Sequence, residues 1–359
     1  MKQVIAQVGL AAAIAAGCSP AVRPSLAPRL DPQFTSTSSC RASSDGYDES
    51  SRVRWIAPRD AEEKVRLDSW CAAVGPALVR DATAANDARL EDIAFVSWNV
   101  HVGAGEIERF VGDVRSGRLS DGRRPRQLVL MLQEAVRSSG VPAVIPDGAS
   151  AAGRIGSDTE PAAEIGRVAD ALNMSLFYAP SMRNGNASDA HEPSDRGNAI
   201  LSTLPISAPM AIELPGDGQR RVAVTAAMQV IVGDRPATLS IGAAHLATRA
   251  SARTLWVFGA AGLRQKQAAS LAEALPDGPM TLGADLNTWI GGPSEPAARH
   301  LLRAFPSTPT RPREATAGAG LVLDYMFFRV PAGWRAKVVR APERYGSDHY
   351  PLIGWMERG

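Results

Sequence analysis

Apolar runs broken by short polar clusters recur through the 359-residue chain, and the runs predict strands at 93–100, 127–132, 174–178, 199–203, 221–232, 237–245, 280–284, 322–329, 336–341 and 352–356. The run at 127–132 is continuously apolar, the pattern of a strand covered on both faces. Helical spacing appears at 66–78, where Leu67, Trp70, Cys71 and Val74 share one side, and at 162–172, where Ile165, Val168, Ala169 and Leu172 do. Two further helices are predicted at 106–114 and 254–275. Segments 138–160, 181–196 and 305–320 read as loops, the second as a long surface loop rich in Asn, Ser, Asp and Gly. Many strands separated by few helices imply two stacked sheets covered by helices.

Polar clusters stand where these strands end. In order they are Ser97-Trp98-Asn99, Leu132-Gln133-Glu134, Gly197-Asn198-Ala199, His245-Leu246, Gly283-Ala284-Asp285-Leu286-Asn287, Leu323-Asp324-Tyr325 and Ser347-Asp348-His349-Tyr350-Pro351-Leu352. Asn, Asp, Glu and His are side chains that hold a hard cation and handle a phosphate. Glu134 follows a strand that is otherwise buried, and a buried carboxylate needs a cation or strong hydrogen bonds. Asp285 and Asn287 are two apart on an extended segment, so they face the same side. Each cluster alone has a bland reading as a turn or a core residue. The ordered set predicts a metal-dependent phosphoesterase.

That ordered set resembles the endonuclease/exonuclease/phosphatase (deoxyribonuclease I-like) superfamily over residues 91–357. The resemblance implies an α/β fold, a four-layer sandwich of two packed mixed β-sheets flanked by helices. It implies Mg²⁺, with Mn²⁺ as the alternative, held by Asn99, Glu134 and Asp348. It implies catalytic roles for His245, Asp285, Asn287, Asp324 and His349, with Asp324 orienting His349 and Asp285 activating water. Tyr178 is expected to touch the phosphate or the leaving group, and Arg220 or Arg221 either to hold a substrate phosphate or, the easier reading, to form an exposed pair. His101 departs from the pattern, since many relatives carry Asp two places after the Asn, and an imidazole favours Mn²⁺ or Zn²⁺ over Mg²⁺.

The ends and the composition add a setting. Lys2 followed by the apolar stretch 4–16 is shorter than the roughly 20 residues of a membrane span and reads as an export signal. Ala15-Ala16-Gly17-Cys18 reads as a lipoprotein cleavage box, giving a signal peptide at 1–18 lipidated on Cys18. Residues 19–53 read as a flexible tether, 54–90 as an N-terminal extension packed on the main domain, and 91–357 as that domain. In an oxidising compartment Cys40 and Cys71 are expected to pair, closing about 30 residues for on the order of 3 kcal/mol. The expected location is the cell envelope, at the periplasmic or outer-membrane face, and the expected state a monomer.

Net charge is only +2, without the strong basic bias of a binder working by charge alone. The substrate expectation is a phosphodiester, DNA or RNA first, with Arg183, Arg196, Arg220 and Arg249 as groove candidates. A phospholipid, sphingomyelin or inositol phosphate is the alternative, with 138–152 and Trp256, Val257 and Phe258 as apolar contacts. A catalytically silent binding lipoprotein is the reading from another class, and retention of every catalytic-type residue counts against it.

Overall fold

A computed structural model describes residues 30–31, 53–58, 61–82, 88–120, 122–145, 147–152, 163–185, 192–216, 218–249, 259–310 and 314–359. Its strands and helices are β1 (Leu30–Asp31), β2 (Arg54–Pro58), α1 (Ala61–Ala72), β3 (Leu78–Arg80), β4 (Ile93–Asn99), α2 (Ile107–Ser116), β5 (Gln127–Arg137), β6 (Ala151–Ala152), α3 (Ile165–Leu172) and β7 (Ser175–Asn184). They continue as β8 (Ser194–Ser202), β9 (Ser207–Leu214), β10 (Arg221–Val232), β11 (Arg235–His245), α4 (Ala261–Ala274), β12 (Met280–Asp285), α5 (Pro296–Ala304), β13 (Asp324–Arg329), β14 (Trp334–Arg340) and β15 (Leu352–Arg358).

Two mixed sheets form. One is seven-stranded in the order β1-β2-β9-β10-β11-β12-β13, and the other is eight-stranded in the order β14-β15-β4-β5-β8-β7-β3, with β6 beside β7. Strand alternation sorts the core into layers. Phe95 of β4 and Val129 and Met131 of β5 point between the sheets, meeting Val224 of β10 and Ile241 of β11. Their neighbours Val96, Trp98, Leu130 and Leu132 point outward onto Phe110 of α2 and Ile165 of α3. On the opposite side Leu282 and Ala284 of β12 pack under Leu271 of α4 and Leu301 of α5. The result is the expected α/β four-layer sandwich, and it explains why the central strands are apolar without alternation. Gly283 marks a close approach of the two sheets, because a Cβ there would lie 2.7 Å from Ser97 Oγ.

Several sequence expectations differ from the structure. In segment 181–196, residues 181–184 and 194–196 are strand rather than surface loop, and 186–191 lie outside the described residues. β7 and β8 run on as a ladder through Arg183↔Asp195 and Asn184↔Ser194. The polar residues are there to make an internal network: Arg137 pairs with Asp195, whose Oδ2 also accepts the Gly75 N–H at 2.8 Å, and Arg183 donates to the Pro142 carbonyl. The first helix lies earlier than 66–78, at Ala61–Ala72. Strand β9 and helix α5 had no counterpart in the sequence reading. The segment 54–90 is also woven into the sandwich, giving β2 to one sheet beside β9 and β3 to the other beside β7.

Cys71 is disulfide-bonded, while Cys18 and Cys40, the other two cysteines, lie outside the described residues. So do the signal-peptide segment, Trp256, Val257 and Phe258, and all of the tether except Leu30, Asp31 and Val53. Among the described residues no helix is long and apolar enough to cross a membrane.

Candidate active site

Register brings three polar residues into one row. β11 and β12 are parallel and end together at His245↔Asp285, and antiparallel β13 begins there, at Asp285↔Asp324. The other sheet delivers Asn99 at the end of β4 and Glu134 from β5, which is parallel to β4. Because β15 runs antiparallel to β4, the segment just before it carries His349 to the same edge. Glu134 sits where the β5–β8 register shifts, at φ 55°, so a bulge takes it out of the ladder.

Asp285 is the hub. Its Oδ2 accepts from Asn99 Nδ2 at 2.9 Å and lies 3.4 Å from His245 Nε2 and 4.0 Å from His349 Nε2. Its Oδ1 accepts the Asn287 N–H at 2.9 Å, and Asn287 Nδ2 donates to the Leu246 carbonyl at 2.9 Å. Asp324 Oδ2 lies 2.8 Å from His349 Nδ1, which fixes that ring with Nε2 toward Asp285. Asp285, Asp324 and His349 offer ligand-type atoms within 4.8 Å of one another. Two of the three are already joined as a carboxylate–imidazole pair, the arrangement that orients an acid or base.

The backbone of this cluster is pinned as well. Ser347 Oγ donates to the Asn99 carbonyl at 2.7 Å and accepts the His349 N–H at 3.0 Å. Trp98 Nε1 donates to the His349 carbonyl at 3.1 Å. The last two residues of β4 therefore hold the His349 segment across the edge, a role that sequence reading did not assign to Trp98 or Ser347.

Two buried cations form the floor. Arg196 Nη1 is 3.7 Å from Glu134 Oε2, and Arg221, buried beside it, donates to Thr248 Oγ1 at 3.2 Å. Burial pulls the Arg221 guanidinium down to about 10, while the charges of Glu134 and Asp285 hold it up. Of the pair weighed from sequence, Arg221 faces the site. Arg220 is buried away in a two-point pairing with Glu213, one bond of which is 3.1 Å.

The two imidazoles are driven apart electrostatically. Burial, then the positive charges of Arg221, His349 and Arg196, push His245 well below the usual histidine range. Burial would lower His349 too, but Asp324, Asp285 and Asp348 overcome it and raise it to about 10. Burial and the neighbouring Asp324 lift Asp285 to about 7, against the opposing pull of His349 and the Asn99 hydrogen bond. The surroundings thus favour a neutral His245, a protonated His349 and a more readily protonated Asp285.

Glu134 Oε1 is 3.9 Å from His245 Nδ1, so the carboxylate stands beside the hub without a hydrogen bond to it. Asp348 is half-exposed and places Oδ1 2.9 Å from His101 Nδ1 and 3.7 Å from His349 Nε2. Tyr178 is set apart from this group. It is fully buried on the α2–α3 side of its sheet and donates its hydroxyl to Asp195 Oδ1 at 2.7 Å. Asn198 bridges the sheets by donating to the Val222 carbonyl at 2.6 Å.

A two-sheet sandwich with paired carboxylates and imidazoles over buried arginines at one edge is the build of a phosphoester hydrolase. The sequence matches the Endonuclease/Exonuclease/phosphatase family over residues 96–349, and the chain belongs to that family. Among solved structures it is similar to the catalytic domain of human nocturnin with bound sulfate, at 16% identity, 78% of this chain, 97% of that one and a TM-score of 0.49. It is also similar to the endonuclease/exonuclease/phosphatase from Bacteroides vulgatus, at 10% identity, 74% and 98% coverage and a TM-score of 0.45. Sphingomyelinase C from Streptomyces griseocarneus follows at 17% identity, 73% and 98% coverage and a TM-score of 0.38. No curated protein matches the chain.

Proposed function

We propose that the chain is a divalent-cation-dependent phosphodiesterase acting on DNA or RNA, exported to the cell envelope and anchored there through a lipid on Cys18. The observation that carries the hydrolytic reading is Asp285 set between His245 and His349, above Arg196 and Arg221. Water attacks phosphorus and gives its proton to the ionised Asp285, which Asn99 and the Asn287 N–H hold in place. The bond from phosphorus to the leaving oxygen breaks with its electron pair on that oxygen. His349, aimed by Asp324, and Arg221 stabilise the charge that builds on the phosphoryl group.

The donors near the hub fit a hard cation. Glu134 is lifted out of its strand by a bulge, and its carboxylate meets Arg196 and His245 only beyond hydrogen-bond range. The Asn99 amide oxygen, which accepts the His101 N–H at 3.0 Å, keeps a second lone pair. Glu134 and Asn99 would hold the ion, Mg²⁺ or Mn²⁺, whose chemistry is Lewis-acid polarisation of a phosphoryl or leaving oxygen.

Nucleic acid is favoured by Arg340 and Arg344, which lie 4.1 and 4.8 Å from the Tyr350 ring centroid, next in sequence to His349. Those charges suit phosphates flanking the scissile one. Arg183 and Arg220, two of the groove candidates from sequence, are buried in internal pairings and do not contribute. Against this, Ile290 is 68% exposed three residues beyond Asn287, which suits a lipid substrate. Export rests on the sequence of the first 18 residues, and the disulfide at Cys71 fits an oxidising compartment.

The test is cleavage of plasmid DNA, RNA, sphingomyelin and bis-p-nitrophenyl phosphate with Mg²⁺ and with EDTA. EDTA-sensitive turnover of nucleic acid that weakens steeply with salt is expected. Detergent-dependent turnover of sphingomyelin alone would replace the nucleic-acid reading, and EDTA-resistant turnover of any substrate would remove the cation.

A further inference from the structure

His101 stands in an unusual backbone setting. It and Val102 occupy left-handed conformations, at φ 49° and 53°, and Gly103 follows at 76°. Side chains rarely adopt this region without a compensating reason. Here the turn is locked on all sides. The His101 N–H donates to Asn99 Oδ1 at 3.0 Å, its carbonyl accepts from Ala104 at 3.1 Å, and the Gly103 carbonyl accepts from Ala163 at 2.8 Å. The turn keeps the imidazole at the end of β4 instead of letting the chain carry it away. Its side chain is 25% exposed, and Glu134 and His349 act on it electrostatically along with Asp348.

The contact with Asp348 is specific to one ring nitrogen. Nδ1 is 2.9 Å from Asp348 Oδ1, and Nε2 makes no hydrogen bond among the described residues. A carboxylate that accepts a hydrogen bond from Nδ1–H fixes the tautomer and, in the neutral ring, leaves the lone pair on Nε2. This is how a metal-bound histidine is ordinarily oriented.

We propose that His101 is itself a ligand of the cation, through Nε2, and that Asp348 acts as its orienting partner rather than as a direct ligand. The inference rests on the cation-dependent reading above. It changes the donor set from oxygen alone to oxygen with one nitrogen. An imidazole is a softer donor than a carboxylate, so the site selects Mn²⁺ or Zn²⁺ over Mg²⁺.

The probe is Mn²⁺ bound to the full chain, followed by electron paramagnetic resonance and by titration. The wild type is expected to bind one Mn²⁺ and to show modulation from a directly bonded ¹⁴N. His101→Asn tolerates the left-handed backbone and should lose that modulation and weaken Mn²⁺ binding at least 10-fold, with Mg²⁺ binding little changed. His245→Asn should keep the modulation. Asp348→Asn should keep it as well, with affinity lowered about 10–100-fold. One bound Mn²⁺ without ¹⁴N coupling, or coupling that survives in His101→Asn, overturns the ligand role and leaves the cation-dependent reading standing. Failure of the wild type to bind Mn²⁺ overturns both.

Discussion

His245 and His349 approach the same oxygen of Asp285, at 3.4 and 4.0 Å, yet their surroundings push their proton affinities in opposite directions. The difference lies in what stands behind each ring. Asp324 backs His349, whereas Arg221 and Arg196 stand near His245. One fold edge therefore sets two imidazoles of opposed proton affinity around a single carboxyl.

The pH profile of kcat/KM follows from this pairing. Asp285 must lose a proton to accept one from water, so the rate should rise as pH climbs through about 7. A cation beside Asn99 moves that limb lower, not higher. His349 must keep its proton, so the rate should fall near about 10. Asp324→Asn removes the main influence raising His349 and should shift the alkaline limb downward. An alkaline limb unmoved in that variant would separate His349 from the rate.

Arg220 and Arg221 are sequence neighbours with opposite expectations. Arg220 is fully buried against a fully buried Glu213, so Arg220→Ala leaves a carboxylate stranded and should cost about 3–5 kcal/mol. Arg221 is buried at the site floor, facing Glu134 and Asp285 without a salt-bridge contact to either. Arg221→Ala should lower kcat/KM about 10²–10³-fold while leaving stability nearly unchanged. Denaturant melts and steady-state kinetics on the two variants check both halves. A destabilised, active Arg221→Ala protein would reverse the assignment.

Much of the sandwich was legible because its central strands are buried on both faces and so read as plain apolar runs, Leu128 to Leu132 above all. The site clusters were legible only as an ordered set at the ends of such runs, since each alone reads as a turn or a core residue. What could not be read was the destination of charges inside strands. Arg183 and Asp195 look like loop residues until β8, lying between β5 and β7, sets Asp195 opposite both Arg137 and Arg183 and beside the 73–76 backbone. Helix α5 was hidden by its Pro and Gly-rich approach, although Pro at its first turn is a helix-start feature. Which of two adjacent arginines turns inward depends on strand register, and composition carries no trace of it.

Glu134 combines function with strain. At φ 55° a side chain costs roughly 1–2 kcal/mol that glycine would not. Glu134→Gly should therefore raise stability by about 1 kcal/mol and abolish turnover. Glu134→Gln should keep wild-type stability and lose about 10²–10³ in rate. Thermal melts beside activity assays decide it. If Glu134→Gln kept near-full rate, the carboxylate would have no part in the reaction.

Tyr178 was the one aromatic expected at the phosphate, and its surroundings point to a different outcome for its removal. The hydroxyl donates to Asp195, which also accepts from Arg137 and from the Gly75 N–H, while Arg137 donates to the Pro76 carbonyl. Burial and the adjacent Asp195 charge hold the phenol well above its usual range, so it stays protonated and cannot serve as a base. Tyr178→Phe removes one hydrogen bond to a buried carboxylate and should cost about 1.5–3 kcal/mol. The loss should surface as earlier melting and faster proteolysis of the 73–76 segment, because that backbone is held by the same carboxylate. kcat and KM at a temperature where the variant stays folded should match the wild type. A fall in kcat without a fall in melting temperature would return Tyr178 to the reaction.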